Sequence, residues 1–194
     1  KPAWDNIEIY PIDDENTAEI AFDAGELDLT RVSLGSVQRY RENVPNGGHL
    51  VENPSLYYVW LGMNLDHPKL NNQKLRQAIQ HAVDVPTLLE AAYFGAAEPS
   101  TGIIAPGLAG NRSANLIAAE ANMEKARALL AESGETNVVL ALDTLNKTTY
   151  TTMAQVIQSM LAQIGITLEI NVLESGAFWS SGDNEDLQLV LNRF

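Results

Sequence analysis

The chain has no cysteine in its 194 residues, so neither a disulfide framework nor thiolate chemistry is open to it. Positive charge is scarce as well. Twelve Lys and Arg (Lys+Arg 12) stand against 25 Asp and Glu, a formal net charge of −13. That balance argues against a surface built to track phosphates and against a polybasic patch for anionic lipid. No nucleic-acid partner and no direct membrane insertion are therefore expected of this segment. No apolar run approaches the roughly 18 residues of a membrane-spanning helix; the longest are 56–63 and an Ala-rich stretch near 114–121. An acidic chain without cysteine suits an exported protein that folds without bridges, and a cytosolic one equally.

The ends are also informative as expectations. Lys1-Pro2-Ala3-Trp4-Asp5 is followed by no apolar region of the signal-peptide kind, there is no initiator Met, and Asn192-Arg193-Phe194 follows directly on an apolar run. Both ends read as cuts in a longer chain.

What is present is a packed core. Hydrophobic residues make up 45% and charged residues 19%, ordinary values for a globular protein. The length allows one sizeable domain or two small lobes sharing a hinge. Asn6 to Ile12 alternates polar and apolar residues and predicts a strand. Asp13-Asp14-Glu15-Asn16-Thr17 supplies a helix start, with Ala18, Ala21 and Phe22 inward and Gly25 as the stop. Leu27–Thr30 predicts a short strand, Ser33 or Ser36 caps a helix reaching Asn43, and Asn46-Gly47-Gly48 is a turn. Strands are expected at 49–53 and 57–64, the second rich in aromatic and β-branched residues.

From Asn72 the period changes to 3.6, with Leu75, Ala78, Ile79, Ala82 and Val83 on one stripe. Asp84 then reads as an N-cap with Pro86 in the first turn of another helix, which stops near Gly95. A long loop runs from Ala96 to Gly110. Asn122 caps a helix closed by Gly134. Val138–Leu142 predicts a strand buried on both faces, and Met153, Val156, Ile157, Met160, Leu161 and Ile164 form an amphipathic helix ending at Gly165. Strands at 166–173 and 187–191 complete the pattern. Strands alternating with helices predict an α/β fold with a largely parallel sheet.

No catalytic motif occurs. His49, His67 and His81 lack metal-ligand spacing. Asp66-His67 resembles half of a triad, but a solvated loop pair before Pro68 accounts for it. His81 lies off the apolar stripe of its helix. The acidic cluster at Asp13–Glu15 suits the positive end of a helix better than a metal, and Tyr57, Tyr58 and Trp60 suit strand packing better than ligand stacking.

Topology gives the remaining pointers. In open α/β sheets, ligands sit beyond the carboxyl ends of parallel strands. Three such ends lead into Thr30–Ser33, into Asp143–Thr149 and into Asn192-Arg193-Phe194. The candidate ligand-binding residues are thus Arg31, Ser33, Asp143, Thr144, Asn146, Lys147, Arg193 and Phe194. Arg31, Lys147 and Arg193 could meet a carboxylate, Asp143 an amine, and Phe194 an apolar portion. Ordinary loop and cap roles compete with each assignment.

Several segments in order resemble one family. KPAWDNIEI followed by DDENTAEIAFDAGELDL, then YYVWLGMN, KLRQAIQHAVD, GAAEPSTGIIAPGLAG, MEKARALLAESG and YTTMAQVIQSMLAQIGITLEI are similar to successive stretches of family 5 extracellular solute-binding proteins, the peptide- and nickel-binding type. The resemblance covers nearly the whole chain. It implies periplasmic-binding-protein-like type II lobes, each a mixed, mostly parallel sheet with flanking helices, hinged around a cleft. Residues 1–62 would be part of the first lobe and 63–194 most of the second. It further implies a solute as ligand, the membrane permease of an ABC transporter as partner, no cofactor, no enzymatic reaction, and a periplasmic or extracellular location. Family segments before Lys1 and an aromatic-Asp loop after Phe194 fall outside this chain.

Departures from the family pattern occur. HPKLNN (67–72) replaces a Pro-Pro-Phe-Asp-Asp segment, and Val85 replaces a basic residue. In dipeptide-binding members, the loop after the penultimate strand carries an arginine that grips the peptide carboxylate; the matching position is Thr144. The resemblance thus points away from dipeptides and leaves longer peptides, opines, sugars and metal complexes open. A ligand-sensing effector domain of a transcriptional regulator with the same fold is the alternative. An enzyme is disfavoured, because no nucleophile is paired with a base.

Overall fold

The structure is a computed structural model that describes residues 3–12, 14–53, 55–105, 108–112, 114–182 and 184–193. The chain divides into two compact units, Lys1–Asn53 and Pro54–Phe194.

The first unit is built around α1 (Glu15–Asp23) and α2 (Val37–Glu42), the latter entered through a short 3-10 turn at Leu34–Ser36. Asp14 caps α1 by accepting from the Thr17 N–H at 2.8 Å and the Thr17 hydroxyl at 2.6 Å. Asp13, the other half of the expected acidic start, lies outside the described residues. The chain leaves α1 at Gly25, whose φ of 79° is in the left-handed region that favours glycine. Tyr40 is buried, meets Phe22 edge-on at 6.4 Å, and donates its hydroxyl to Asp23 at 2.8 Å. Arg39 binds Asp23 at 2.6 Å and the buried Glu19 at 3.3 Å.

The expected strands at 6–12, 27–30 and 49–53 do not form. Their alternation is real, but a strand is stable only against a neighbour that satisfies its backbone. Among the described residues none pairs with them, and Ile7 and Ile9 are exposed.

The second unit holds one sheet of four strands among the described residues, in the order β1 (Val59–Met63), β4 (Leu189–Arg193), β2 (Val139–Leu145) and β3 (Thr167–Leu173). β2 runs parallel to β3 and to β4, while β1 is antiparallel to β4. The mixed, mostly parallel sheet expected from the sequence is therefore present. Residues 59–63 pair with β4 and fall in the second compact unit.

Helices α3 (Gln73–Ala82), α4 (Val85–Tyr93), α5 (Met123–Ser133) and α6 (Thr148–Ala162) follow the expected caps and stripes. Asn72, Asp84 and Asn122 each accept backbone N–H groups at the helix starts, and Gly134 closes α5 at φ 73°. Leu75, Ile79, Leu140, Leu142, Ile157, Leu161, Ile166 and Leu189 are fully buried between helices and sheet. Truncating one such leucine to alanine costs about 2–5 kcal/mol.

β2 is not buried on both faces as expected. Leu140, Leu142 and Thr144 are buried, whereas Ala141 and Asp143 are half-buried and Val139 is exposed. α7 (Ser175–Ser181), which the sequence reading did not include, packs near the second face and buries Phe178. No helix among the described residues is long and apolar enough to cross a membrane.

Candidate functional site

Because β2, β3 and β4 run parallel and β1 runs against β4, one edge of the sheet collects three strand C-termini and the start of β1. Arg193 ends β4 on that edge, in register with Val59. Alternation along β4 puts its side chain on the face shared by Leu189 and Leu191. The guanidinium lies 5.0 Å from the Tyr57 ring centroid, a cation–π contact of about 0.5–1 kcal/mol at an exposed site. Among the described residues no carboxylate pairs with Arg193. In a chain with 25 acidic side chains, that leaves a positive charge available to a ligand.

Two further tyrosines, on α4 and α6, feel the Arg193 charge. Tyr93 is the last residue of α4 and Tyr150 lies in the first turn of α6. Burial raises the Tyr93 phenol above its ordinary value; Tyr150 adds to the rise and the Arg193 charge opposes it. Burial also raises Tyr150, again opposed by Arg193. Both phenols are therefore protonated donors at neutral pH. Tyr150 is only 5% exposed, and its hydroxyl has no hydrogen-bond partner among the described residues.

The sequence-predicted residues distribute unevenly around this edge. Asn146 and Lys147 are exposed in the turn between β2 and α6. The Asn146 side chain donates to Glu174 at 2.6 Å, its backbone N–H donates to the Leu173 carbonyl at 2.8 Å, and Lys147 is the N-cap residue of α6. Asp143 lies on the opposite face from Arg193, because its register partner on β4 is Val190. It accepts from Asn171 at 2.9 Å and lines a shallow groove of about 600 Å³ with Asn171, Ala177, Ser181 and Asp186. Thr144 lies inside β2, in register with Leu191, and is fully buried with no partner for its hydroxyl among the described residues.

Arg31 and Ser33 belong to the first unit. Arg31 is exposed. Ser33 precedes the 3-10 turn; its N–H donates to Glu19 at 2.6 Å and its hydroxyl to Asn16 at 3.4 Å. Phe194 lies outside the described residues.

The residues that sequence reasoning passed over are Tyr57, Tyr93 and Tyr150. Tyr57 was read as strand packing. The signal for Tyr150 was its position, a hydroxyl-bearing aromatic in the first turn after a strand's carboxyl end. Tyr93 carried none, since it lies on α4, which pairs with α6 only in the fold.

Comparison with known proteins decides the family. Residues 1–194 match the family model for bacterial extracellular solute-binding proteins, family 5 Middle. The chain belongs to that family. The glutathione-binding protein GsiB of Escherichia coli (strain K12) is 27% identical over 180 residues, which are 90% of this chain and 34% of GsiB. Among solved structures, the ABC transporter-associated periplasmic binding protein DppA from Helicobacter pylori, in complex with the peptide STSA, superposes with a TM-score of 0.77 at 28% identity. That match covers 94% of this chain and 35% of DppA. The binding protein AgaA from A. tumefaciens R10, in complex with agropinic acid, gives a TM-score of 0.72 at 27% identity, covering 93% of this chain and 37% of that one. This family 5 chain thus spans about a third of the length of the curated relatives it matches, and its fold is the type II binding-protein fold that the resemblance implied.

Proposed function

We propose that this chain is part of a solute receptor for an ABC importer, working in the periplasm or at the cell surface. It captures a solute and presents it to a membrane permease, and it carries out no reaction. The observation that carries this reading is the Arg193 guanidinium resting on Tyr57 without a carboxylate partner among the described residues, at the sheet edge where α/β folds hold ligands. A cation with an aromatic platform suits a peptide-like or other small solute bearing a carboxylate. Relatives named for glutathione, a peptide and agropinic acid support that class of solute.

In this reading residues 1–62 are part of the first lobe of the receptor and residues 63–194 most of the second, with Arg31 and Ser33 as ligand candidates on the first. Lys147 and Arg193 are the candidates for a carboxylate on the second lobe, Asn146 offers a further polar group, Asp143 is the candidate for an amine, and Phe194, a candidate for an apolar portion, lies outside the described residues. Thr144 supports the strand from inside. The family match favours the receptor over an effector domain fused to a DNA-binding module.

The test is a thermal-shift screen of the full-length gene product against peptides, glutathione, opines, sugars and nickel complexes. A ligand that binds only the native state raises the melting temperature by mass action. A clear rise with one carboxylate-bearing class, reduced in Arg193→Gln, is expected. A well-folded sample that responds to no class would sink the receptor reading.

A further inference from the structure

Glu19, on α1, is the one buried charged side chain among the described residues, at 3% exposure. A carboxylate taken out of water is costly unless it is paired and hydrogen-bonded. Exchanging a buried ion pair for apolar residues of similar volume is often neutral or stabilising. Stability alone therefore does not account for a glutamate at this position.

Its partners show what it holds. One oxygen accepts from the Ser33 N–H at 2.6 Å, and the other from the Arg39 guanidinium at 3.3 Å. Burial pushes the carboxyl up, but hydrogen bonds from Ser36, Ser33 and Arg39 outweigh it and hold the group below its ordinary value. Arg39 is anchored without Glu19, by Asp23 at 2.6 Å and over the Tyr40 ring at 4.2 Å. The segment leading to Ser33 has no such support. Residues 29–33 lie in neither helix nor strand. Among the described residues, no backbone N–H of residues 27–33 donates to another backbone group. Side chains of α1 hold the segment instead: Glu19 takes the Ser33 N–H, and Asn16 takes the Ser33 hydroxyl at 3.4 Å. Close by, Arg31 is exposed and makes no ion pair among the described residues.

We infer that Glu19 is a positioning residue for solute binding: it fixes the Ser33 backbone from within the first unit and so sets how Arg31 is presented to the solute. The inference rests on the receptor reading for the solute, but its first measurement does not.

The experiment uses the full-length gene product in native, Glu19→Met and Glu19→Gln forms. Methionine keeps the volume and cannot take the Ser33 N–H, whereas glutamine keeps an acceptor and loses the charge. Hydrogen exchange without solute is read over residues 29–36. It is expected to rise about tenfold in Glu19→Met, the loss of one hydrogen bond to a charged group. In Glu19→Gln the rise is expected to be about threefold, since a neutral acceptor is the weaker one. The melting temperature of Glu19→Met and the exchange of α1 and α2 are expected to stay near native.

Glutathione, or the member of the thermal screen with the largest shift, is then titrated by calorimetry. Glu19→Met is expected to weaken binding about fivefold beside Arg31 and less than about twofold beside Arg31→Gln, because residues acting through one another are not additive. Unchanged exchange over residues 29–36 in Glu19→Gln would overturn the inference even where Glu19→Met fails to fold. So would a rise shared equally by α1 and α2, or an equal loss of affinity with and without Arg31→Gln. A loosened segment in a protein that binds no member of the screen would overturn the receptor reading and leave the hold of Glu19 on Ser33 standing. Solute bound with native affinity by a loosened segment would do the reverse.

Discussion

The Asn72 side chain joins two helices through Ser133: its amide nitrogen donates to the Ser133 carbonyl at 2.9 Å, while its oxygen accepts from the Lys74 N–H at 3.1 Å and the Leu75 N–H at 3.5 Å. One residue thus caps the start of α3 and satisfies a carbonyl in the last turn of α5, the two helices being closely packed.

Asn72→Ala removes both functions. A lost N-cap costs about 1 kcal/mol, and a carbonyl left without a donor adds about 1–2 kcal/mol where water cannot replace it. Asn72→Asp retains the cap acceptor and loses the donor, so it should fall between alanine and the native residue. Urea denaturation of the three proteins checks the order. The Asn72 amide nitrogen also donates to Glu135 at 3.2 Å, so the comparison is made in the Glu135→Gln background, where equal stability of the aspartate and alanine variants would show that the cap contributes nothing.

Asp84 makes the second unit sensitive to acid. One oxygen accepts from the Thr87 hydroxyl at 2.6 Å and the Thr87 N–H at 3.0 Å; the other accepts from the Ala121 N–H at 2.9 Å. The Thr87 hydroxyl, then the Ala121 N–H, hold the carboxyl below its ordinary 3.8 against the opposing effect of burial. A folded value below the unfolded one means that this stabilisation is fully present above the unfolded value. It is lost as pH falls through the folded value. Denaturation curves between about pH 6 and pH 3 should therefore steepen their loss of stability toward the acid end, and Asp84→Asn should flatten part of that loss. An unchanged acid profile in Asp84→Asn would contradict this role.

Gly62 sits beneath the ring of its own strand neighbour. A Cβ built there would lie 2.2 Å from the Trp60 ring and 2.9 Å from Val190. The indole must therefore swing away in Gly62→Ala, at a cost of about 1–3 kcal/mol as for overpacked cores. Trp4 and Trp179 are already exposed, so a red-shifted tryptophan emission would report on Trp60. An unshifted spectrum with native stability would mean that the ring adjusts in place.

Much of the second unit is legible in the sequence because its signals are local. Asn72, Asp84 and Asn122 sit at helix starts, and Gly134 sits at a helix end, whatever the helices later pack against. Strands are less local. Residues 6–12 alternate as well as any strand, yet Ile7 and Ile9 remain exposed because alternation supplies a face and not a partner. α7 was missed because SGAFWSS has no apolar stripe and buries a single Phe178. The carboxyl-end rule needs only strand order and direction, so it could pick out Arg193, Asn146 and Lys147 at or just beyond strand ends. It could not separate Asp143 from Arg193 onto opposite faces, which depends on the β2–β4 register.

Thr144 gives a sharp test of burial against ligand contact. Its hydroxyl is fully buried and unpartnered among the described residues. Thr144→Val exchanges that hydroxyl for a methyl of similar shape and removes an unsatisfied group. Stability should rise by up to about 1 kcal/mol, with solute affinity unchanged within about twofold. Loss of affinity at undiminished stability would show instead that Thr144 reaches the solute.

The two units should also differ in how readily they open. The first has short helices, no strand among its described residues, and a small buried set of Ala18, Glu19 and Tyr40. The second carries the sheet and the continuous core from Leu70 to Leu191. Local opening free energy follows buried apolar contact and protected backbone, so amides of β2, β4 and α6 should exchange slowest in the 194-residue chain. Amides of α1 and α2 should exchange at least about tenfold faster, a difference of roughly 1.4 kcal/mol in opening. Hydrogen exchange read by mass spectrometry separates these segments directly. Faster exchange in β2 and α6 than in α1 would place the stable core in the first unit, against the burial described for both.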